Sequence, residues 1–204
     1  AGGGVIKEAD STLVKPLSPK DWLNNWVVNR KDYLKKNLNW SDENINKKLD
    51  FYKTKLNLTP ENINSSLPSE INGLTRTIKG KSSIEYRYMP EPEVRIHELT
   101  HATGIIPDVA SSIKNITGIG NTPKETVIDV QMPDELYPRL MEMRYKNRLD
   151  PSKQYSPEDV QRFRESDVTG KSNDLFKYFD NQKISELLNG VAQNKIKTNN
   201  KFYS

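Results

Sequence analysis

Apolar positions along the chain fall into short helical stripes separated by polar turns, with one stretch that alternates instead. Ser18-Pro19-Lys20-Asp21 opens the first stripe: Ser suits an N-cap, Pro the first helical position, and Asp21 supplies an early acid. Trp22, Leu23, Trp26, Val27, Tyr33 and Leu34 then recur at helical spacing, which predicts a helix over 18–36 with Trp22 and Trp26 turned into the core. A second helix is predicted from Ser41 to about Lys55, with Ile45, Leu49 and Tyr52 on one side. Pro60 and Pro68 punctuate a loop-rich stretch after it. Residues 73–78 and 83–88 alternate and favour β structure, with Lys79-Gly80-Lys81-Ser82 turning between them, so a hairpin is predicted. Pro90 and Pro92 stop the second strand, and Glu93-Val94-Arg95-Ile96 begins another helix. Beyond residue 104 the chain is expected to loop through Gly118 and Gly120. A helix follows from near Pro133 to about Arg148, with Pro138 implying a kink or a later start. Ser156-Pro157-Glu158-Asp159 opens another helix, and Ile184, Leu187, Leu188 and Val191 mark a short last one.

These elements predict an α+β fold, mostly helical, with a small β-hairpin or sheet beside the helix that starts near Glu93. Residues 1–17 and the polar tail from Lys195 are expected to be extended arms that order only against a partner. The boundaries read as an arm over 1–17, a helical region over 18–72, a core over 73–150, and a C-terminal helical region and tail over 151–204.

Composition narrows the chemistry. The chain of 204 residues contains no cysteine, which excludes disulfides, thiolate metal sites and cysteine nucleophiles. Its apolar runs, such as Trp26-Val27-Val28, are too short for a membrane span, and no apolar signal segment is read at the start, so no membrane partner is expected. The net charge of +4 is spread among acids rather than clustered, so no nucleic-acid partner is expected.

The two histidines of the chain are His97 and His101, and Glu98 follows the first: His97-Glu98-Leu99-Thr100-His101. Four residues apart on a helix, both imidazoles lie on one face and can reach one metal ion. Glu98, one position round, can approach a water on that metal without being a ligand. Two histidines fall four apart in roughly 1% of random placements, and a Glu follows the first about 7% of the time at this composition. A helix carrying two surface histidines beside an incidental Glu is the competing reading. Without cysteine, a Zn2+ site here must use His and carboxylate, and three protein ligands leave the fourth position open for chemistry.

The motif resembles the signature of zincin metallopeptidases. The resemblance implies a motif helix beneath a small sheet and an upstream edge strand that binds the substrate backbone, a place occupied in chain order by Ile84–Met89. It also implies zinc as cofactor and a peptide or protein as substrate, with Glu98 as the catalytic base. In the gluzincin pattern the third ligand is a Glu on a later helix. Met132-Pro133-Asp134-Glu135-Leu136-Tyr137-Pro138-Arg139 resembles the Pro-x-Glu-x-x-x-Arg segment of some bacterial and phage zincins, which implies Glu135 as ligand and Arg139 as the residue orienting it. Glu142, two turns on, is the next candidate. His101-Ala102-Thr103-Gly104 also resembles the start of the metzincin pattern, whose third ligand would fall at Pro107, with Asp108 one place late and Met132 in the role of the buried methionine. Tyr137, Tyr145, Tyr155 and Arg139 remain open as stabilisers of the tetrahedral oxyanion.

A second resemblance concerns source. Trp22-Leu23-Asn24-Asn25-Trp26 with Asn29-Arg30, and Met141-Glu142-Met143-Arg144 with Leu149-Asp150-Pro151, resemble segments of proteins of crAss-like phages and their Bacteroidales hosts. This implies a virion or cytoplasmic location and other virion proteins as partners in a homo- or hetero-oligomeric assembly. Two expectations therefore compete: a zinc peptidase, which that resemblance implies would process virion proteins, and a structural assembly protein whose zinc site is silent or self-directed.

Overall fold

The computed structural model describes residues 17–38, 40–119, 123, 126–151, 153–167 and 174–192. The expected arm over 1–17, save Leu17, and the tail over 195–204 lie outside the described residues, as do the side chains of Tyr33 and Leu34. The fold is mixed α+β and mostly helical, with a small three-stranded sheet.

Helix α1 (Pro19–Leu38) buries Leu23, Trp26 and Val27, while Trp22 is half-buried and meets Tyr145 edge-to-face at 5.3 Å. Helix α2 (Asp42–Asn57) is capped by Ser41, which accepts from the Asn44 N–H, and buries Ile45, Leu49, Tyr52 and Leu56. The loop-rich stretch after it holds a short strand that the sequence did not betray, β1 (Glu61–Ile63).

The hairpin forms as β2 (Gly73–Ile78) and β3 (Lys81–Tyr86), paired from Gly73 opposite Tyr86 to Ile78 opposite Lys81. Its turn is tighter than expected. Only Lys79 and Gly80 lie outside the strands, both with positive φ, at 50° and 76°. Such a two-residue turn matches the twist of the strands, and glycine takes its second position without strain. Strand β1 adds to the other side of β3 in parallel, so the order is β1-β3-β2. This corrects the expected edge strand. Ile84–Tyr86 lies in the middle of the sheet, hydrogen-bonded on both sides, and Tyr88 and Met89 lie beyond its end. The edge strand beside the motif helix is β2.

That helix is α3 (Pro92–Ala102), with Pro92 at its first position. It packs most extensively on α5 (Pro133–Lys146), and β2 covers another of its sides. Between them the expected loop is in fact a helix, α4 (Ile106–Thr117). Pro107 sits in its first turn, where its missing N–H costs nothing. Ile106, Val109 and Ile113 supply the buried stripe. Helix α5 begins at Pro133 and runs through Pro138, whose ring leaves one carbonyl of the ladder without its donor. Helix α6 (Pro157–Ser166) has a reciprocal capping box between Ser156 and Asp159. Helices α7 (Leu175–Tyr178) and α8 (Asn181–Leu187) and a wider turn over Leu188–Ala192 complete the described chain.

One buried cluster runs from Leu23 of α1 through Ile84, Ile96, Leu99, Leu136 and Leu140 to Ile184 and Val191. Leu99 lies within it, fully buried, on the face of α3 away from the polar one. Leu99→Ala should destabilise the chain by about 2–5 kcal/mol in a denaturant titration, because the void closes only in part; a loss under about 1 kcal/mol would contradict this packing.

Candidate metal centre

Helix α3 is buried nearly all round, so its polar face must be satisfied by its neighbours. His97 is 7% exposed and Glu98 8%. One helical turn brings the two Nε2 atoms of His97 and His101 to 3.2 Å from each other. The first turn of α5 delivers Glu135 opposite them. Its Oε2 lies 3.1 Å from His97 Nε2, and its Oε1 3.4 Å from His101 Nε2. The three residues form a group whose donor atoms all lie within 4.8 Å of one another.

The spacing fits a tetrahedral zinc ion. Ligand bonds of about 2.0–2.1 Å at tetrahedral angles put neighbouring donor atoms roughly 3.3 Å apart. The two imidazole nitrogens stand 3.2 Å apart, and each has a Glu135 oxygen near that distance, Oε2 at 3.1 Å from His97 and Oε1 at 3.4 Å from His101. Two imidazoles and one carboxylate are also the donor types such an ion takes without thiolate.

Glu142, two turns along α5, is placed differently from Glu135. Its Oε1 faces His97 Nδ1 at 3.5 Å, on the opposite side of the ring from Nε2. Nδ1 is buried and makes no closer polar contact, so the separation is that of an ion pair rather than a good hydrogen bond. Glu142 thus orients the imidazole rather than joining the donor group, the role a carboxylate commonly plays behind a metal-bound histidine. Arg139 was expected to orient Glu135. It instead takes Glu142, with Nη1 at 3.1 and 3.3 Å from the two carboxylate oxygens, and reaches Asp174 at 3.6 Å through Nη2. Both acids neighbour Arg139 on α5, Glu135 at i−4 and Glu142 at i+3, but Glu135 faces the two histidines, which leaves Glu142 to Arg139.

Glu98 points to the sheet. The Thr75 hydroxyl donates to Glu98 Oε2 at 2.5 Å and lies 3.1 Å from the Glu98 carbonyl. Two residues earlier on the same strand face, Gly73 leaves the room that Glu98 occupies. A Cβ there would stand 2.8 Å from Glu98 Cγ and 3.1 Å from Oε1. Sequence reasoning missed Gly73, Thr75 and Asp174. The glycine that opens β2 was the readable signal, since glycine in a strand often marks a close approach.

The rival ligand is held elsewhere. Asp108, in the first turn of α4, accepts from the Tyr52 hydroxyl at 2.6 Å and pairs with Lys48. It does not join the donor group. Met132 is half-buried at the N-cap of α5. Of the four candidates for an oxyanion donor, Tyr137 is fully buried, Tyr145 packs on Trp22, and Tyr155 is bonded to the Asp150 backbone. Arg139 alone of the four adjoins the cluster, paired as described.

The carboxylates of this cluster favour a proton on His97. Burial lowers the basicity of His97, but Glu135 and Glu142 outweigh it and raise the pKa from 6.5 to about 9. Burial likewise opposes ionisation of Glu135, and His101 and His97 together hold it well below the usual carboxylate range.

The chain matches no family model, and neither curated proteins nor solved structures match it.

A raised histidine pKa stabilises the folded state fully below the unfolded value, and that contribution is lost as pH rises through the folded value. Chelator-treated protein should therefore show a thermal midpoint that falls between pH 6.5 and about 9. Glu142→Gln should flatten the slope, because one of the two carboxylates that favour the imidazolium is gone. A midpoint independent of pH over that window would contradict the cluster described.

Proposed function

We propose that the chain is a zinc-dependent peptidase whose metal is held by His97, His101 and Glu135 and whose general base is Glu98. One observation carries the reading: His97, His101 and Glu135 bring three donors close enough to share one ion, while the carboxylate of Glu98, next in sequence to His97, is held by Thr75 and is not one of the three. A zinc ion in such a site supplies Lewis acidity, making water a nucleophile near neutral pH and polarising the scissile carbonyl.

The chain's own residues would do the rest. Thr75 fixes Glu98 through Oε2, which leaves Oε1 to accept the proton of the attacking water. Glu98 then returns that proton to the amine nitrogen as the C–N bond breaks. Glu142, backed by Arg139 and Asp174, keeps the His97 ring in place. The edge of β2 that does not pair with β3 runs past Glu98 and offers unpaired backbone groups to an extended peptide. The resemblance to phage segments makes a virion protein, or the chain itself, the first substrate to try.

The structural reading has one observation of its own. Glu98 is 8% exposed and tied to Thr75, as a silent site held within an assembly would be. The two readings part in a single set of variants. Metal-replete protein should carry about one zinc per chain, and Glu135→Ala should weaken its retention about 10-fold or more, while Asp108→Ala should not. His97→Ala or His101→Ala that binds metal as the parent does would end the zinc reading. Glu98→Gln should keep both fold and zinc and lose roughly 10²–10⁴-fold in peptide cleavage. Identical fragments from parent and Glu98→Gln, across peptides, virion proteins and the chain itself, would leave the silent site standing.

A further inference from the structure

Behind Glu142, on the side away from His97, lies a cavity of about 510 Å³ between α3, α5, α6 and α7. Glu142 and Arg139 form its inner wall, so one side chain separates it from the candidate metal ligands. Two kinds of surface line it. Val94, Met143, Phe163 and Phe176 give an apolar sleeve, and acids outnumber bases in the remaining wall.

The bases are already taken. Arg139 pairs with Glu142 and Asp174, and Lys146 pairs with Asp167 Oδ1 at 2.7 Å. The acids are not all satisfied. The Asp167 side chain is 4% exposed, and its Oδ2 is buried without a hydrogen-bond partner. Glu93, in the first turn of α3, lines the cavity without an ion pair or hydrogen bond to any other described residue. Asp167 Oδ2 has no surface open to the cavity and Lys146 already balances that carboxylate, so Glu93 is the acid left to favour a ligand that brings donors.

We propose that this cavity is a subsite for the basic side chain, arginine or lysine, of a peptide substrate. The proposal rests on the peptidase reading and adds its specificity. The aliphatic stem lies along Val94, Met143, Phe163 and Phe176, and the cationic head meets Glu93. A long side chain with an apolar stem and a charged tip suits such a wall better than a purely apolar one, which would leave Glu93 unpaired.

The test titrates agmatine, a guanidinium and an ammonium at the two ends of a four-carbon chain, into the zinc-supplemented full chain, followed by NMR shifts. N-carbamoylputrescine, which keeps the chain and the ammonium but replaces the guanidinium by an uncharged urea, is the control. Agmatine should bind at least 10-fold more tightly than N-carbamoylputrescine, and Glu93→Lys should weaken it at least 10-fold. Glu93→Gln gives the same direction with less disturbance, should Glu93→Lys fail to fold. Equal binding of the two probes, or no effect of either variant, overturns the subsite. The same proteins are then given a peptide pool and the cut sites are mapped. Cuts clustered at one fixed position relative to arginine or lysine, and lost in Glu93→Lys, support the subsite. Zinc-dependent cuts with no basic preference overturn the subsite and spare the peptidase. Agmatine captured without any cleavage sinks the peptidase reading and, with it, the role assigned to the cavity.

Discussion

The crossing of α3 and α5 sets a constraint that the rest of the structure must meet. It places two imidazoles, two carboxylates and a guanidinium together, with His97 and Glu142 nearly buried and the others partly withdrawn from water. Ionised groups taken from water cost several kcal/mol each unless partners compensate. Each charge here has a partner, and the partners come from separate parts of the chain: His97 and His101 from α3, Glu135, Arg139 and Glu142 from α5, and Asp174 from the turn before α7. The apolar face of α3, with Ile96 and Leu99 in the common core, holds the crossing in register.

Glu135 and Glu142 favour a cation between them, and they keep a proton on His97 well above the usual histidine range. A zinc ion held there would take over the task and displace that proton, because the ligand is neutral imidazole. Proton and metal would then compete for the same nitrogen. The same fact explains why Glu142 belongs in the site without being a donor: it sits behind the ring and raises its basicity toward either occupant. Glu98 stands outside this balance, tied to the sheet by Thr75 and given room by Gly73.

Much of the framework was legible in the sequence because local rules agreed with the final packing. The capped starts at Ser41 and Ser156, the alternating hairpin and the Pro92 helix start all form close to where the pattern puts them. The histidine pair and Glu135 come together as spacing and resemblance led one to expect. What escaped depends on contacts far apart in the chain. Strand β1 is three residues long, too short for a period, and its addition to β3 moved the edge of the sheet to β2. Helix α4 hid behind Gly104 and Pro107, two residues that break helices in general but here stand before and at its start. Arg139 pairs with Glu142 because Glu135 faces the histidines, a choice between neighbours that resemblance alone did not resolve.

The most direct test of the central claim is an anomalous-diffraction map collected at the zinc edge from crystals of zinc-loaded protein. The account predicts one strong peak per chain, bonded to His97 Nε2, His101 Nε2 and a Glu135 oxygen at about 2.0–2.2 Å, with the His97 Nδ1 side still facing Glu142. A peak bonded to Asp108 or directly to Glu142, or no peak at the crossing of α3 and α5, would contradict it.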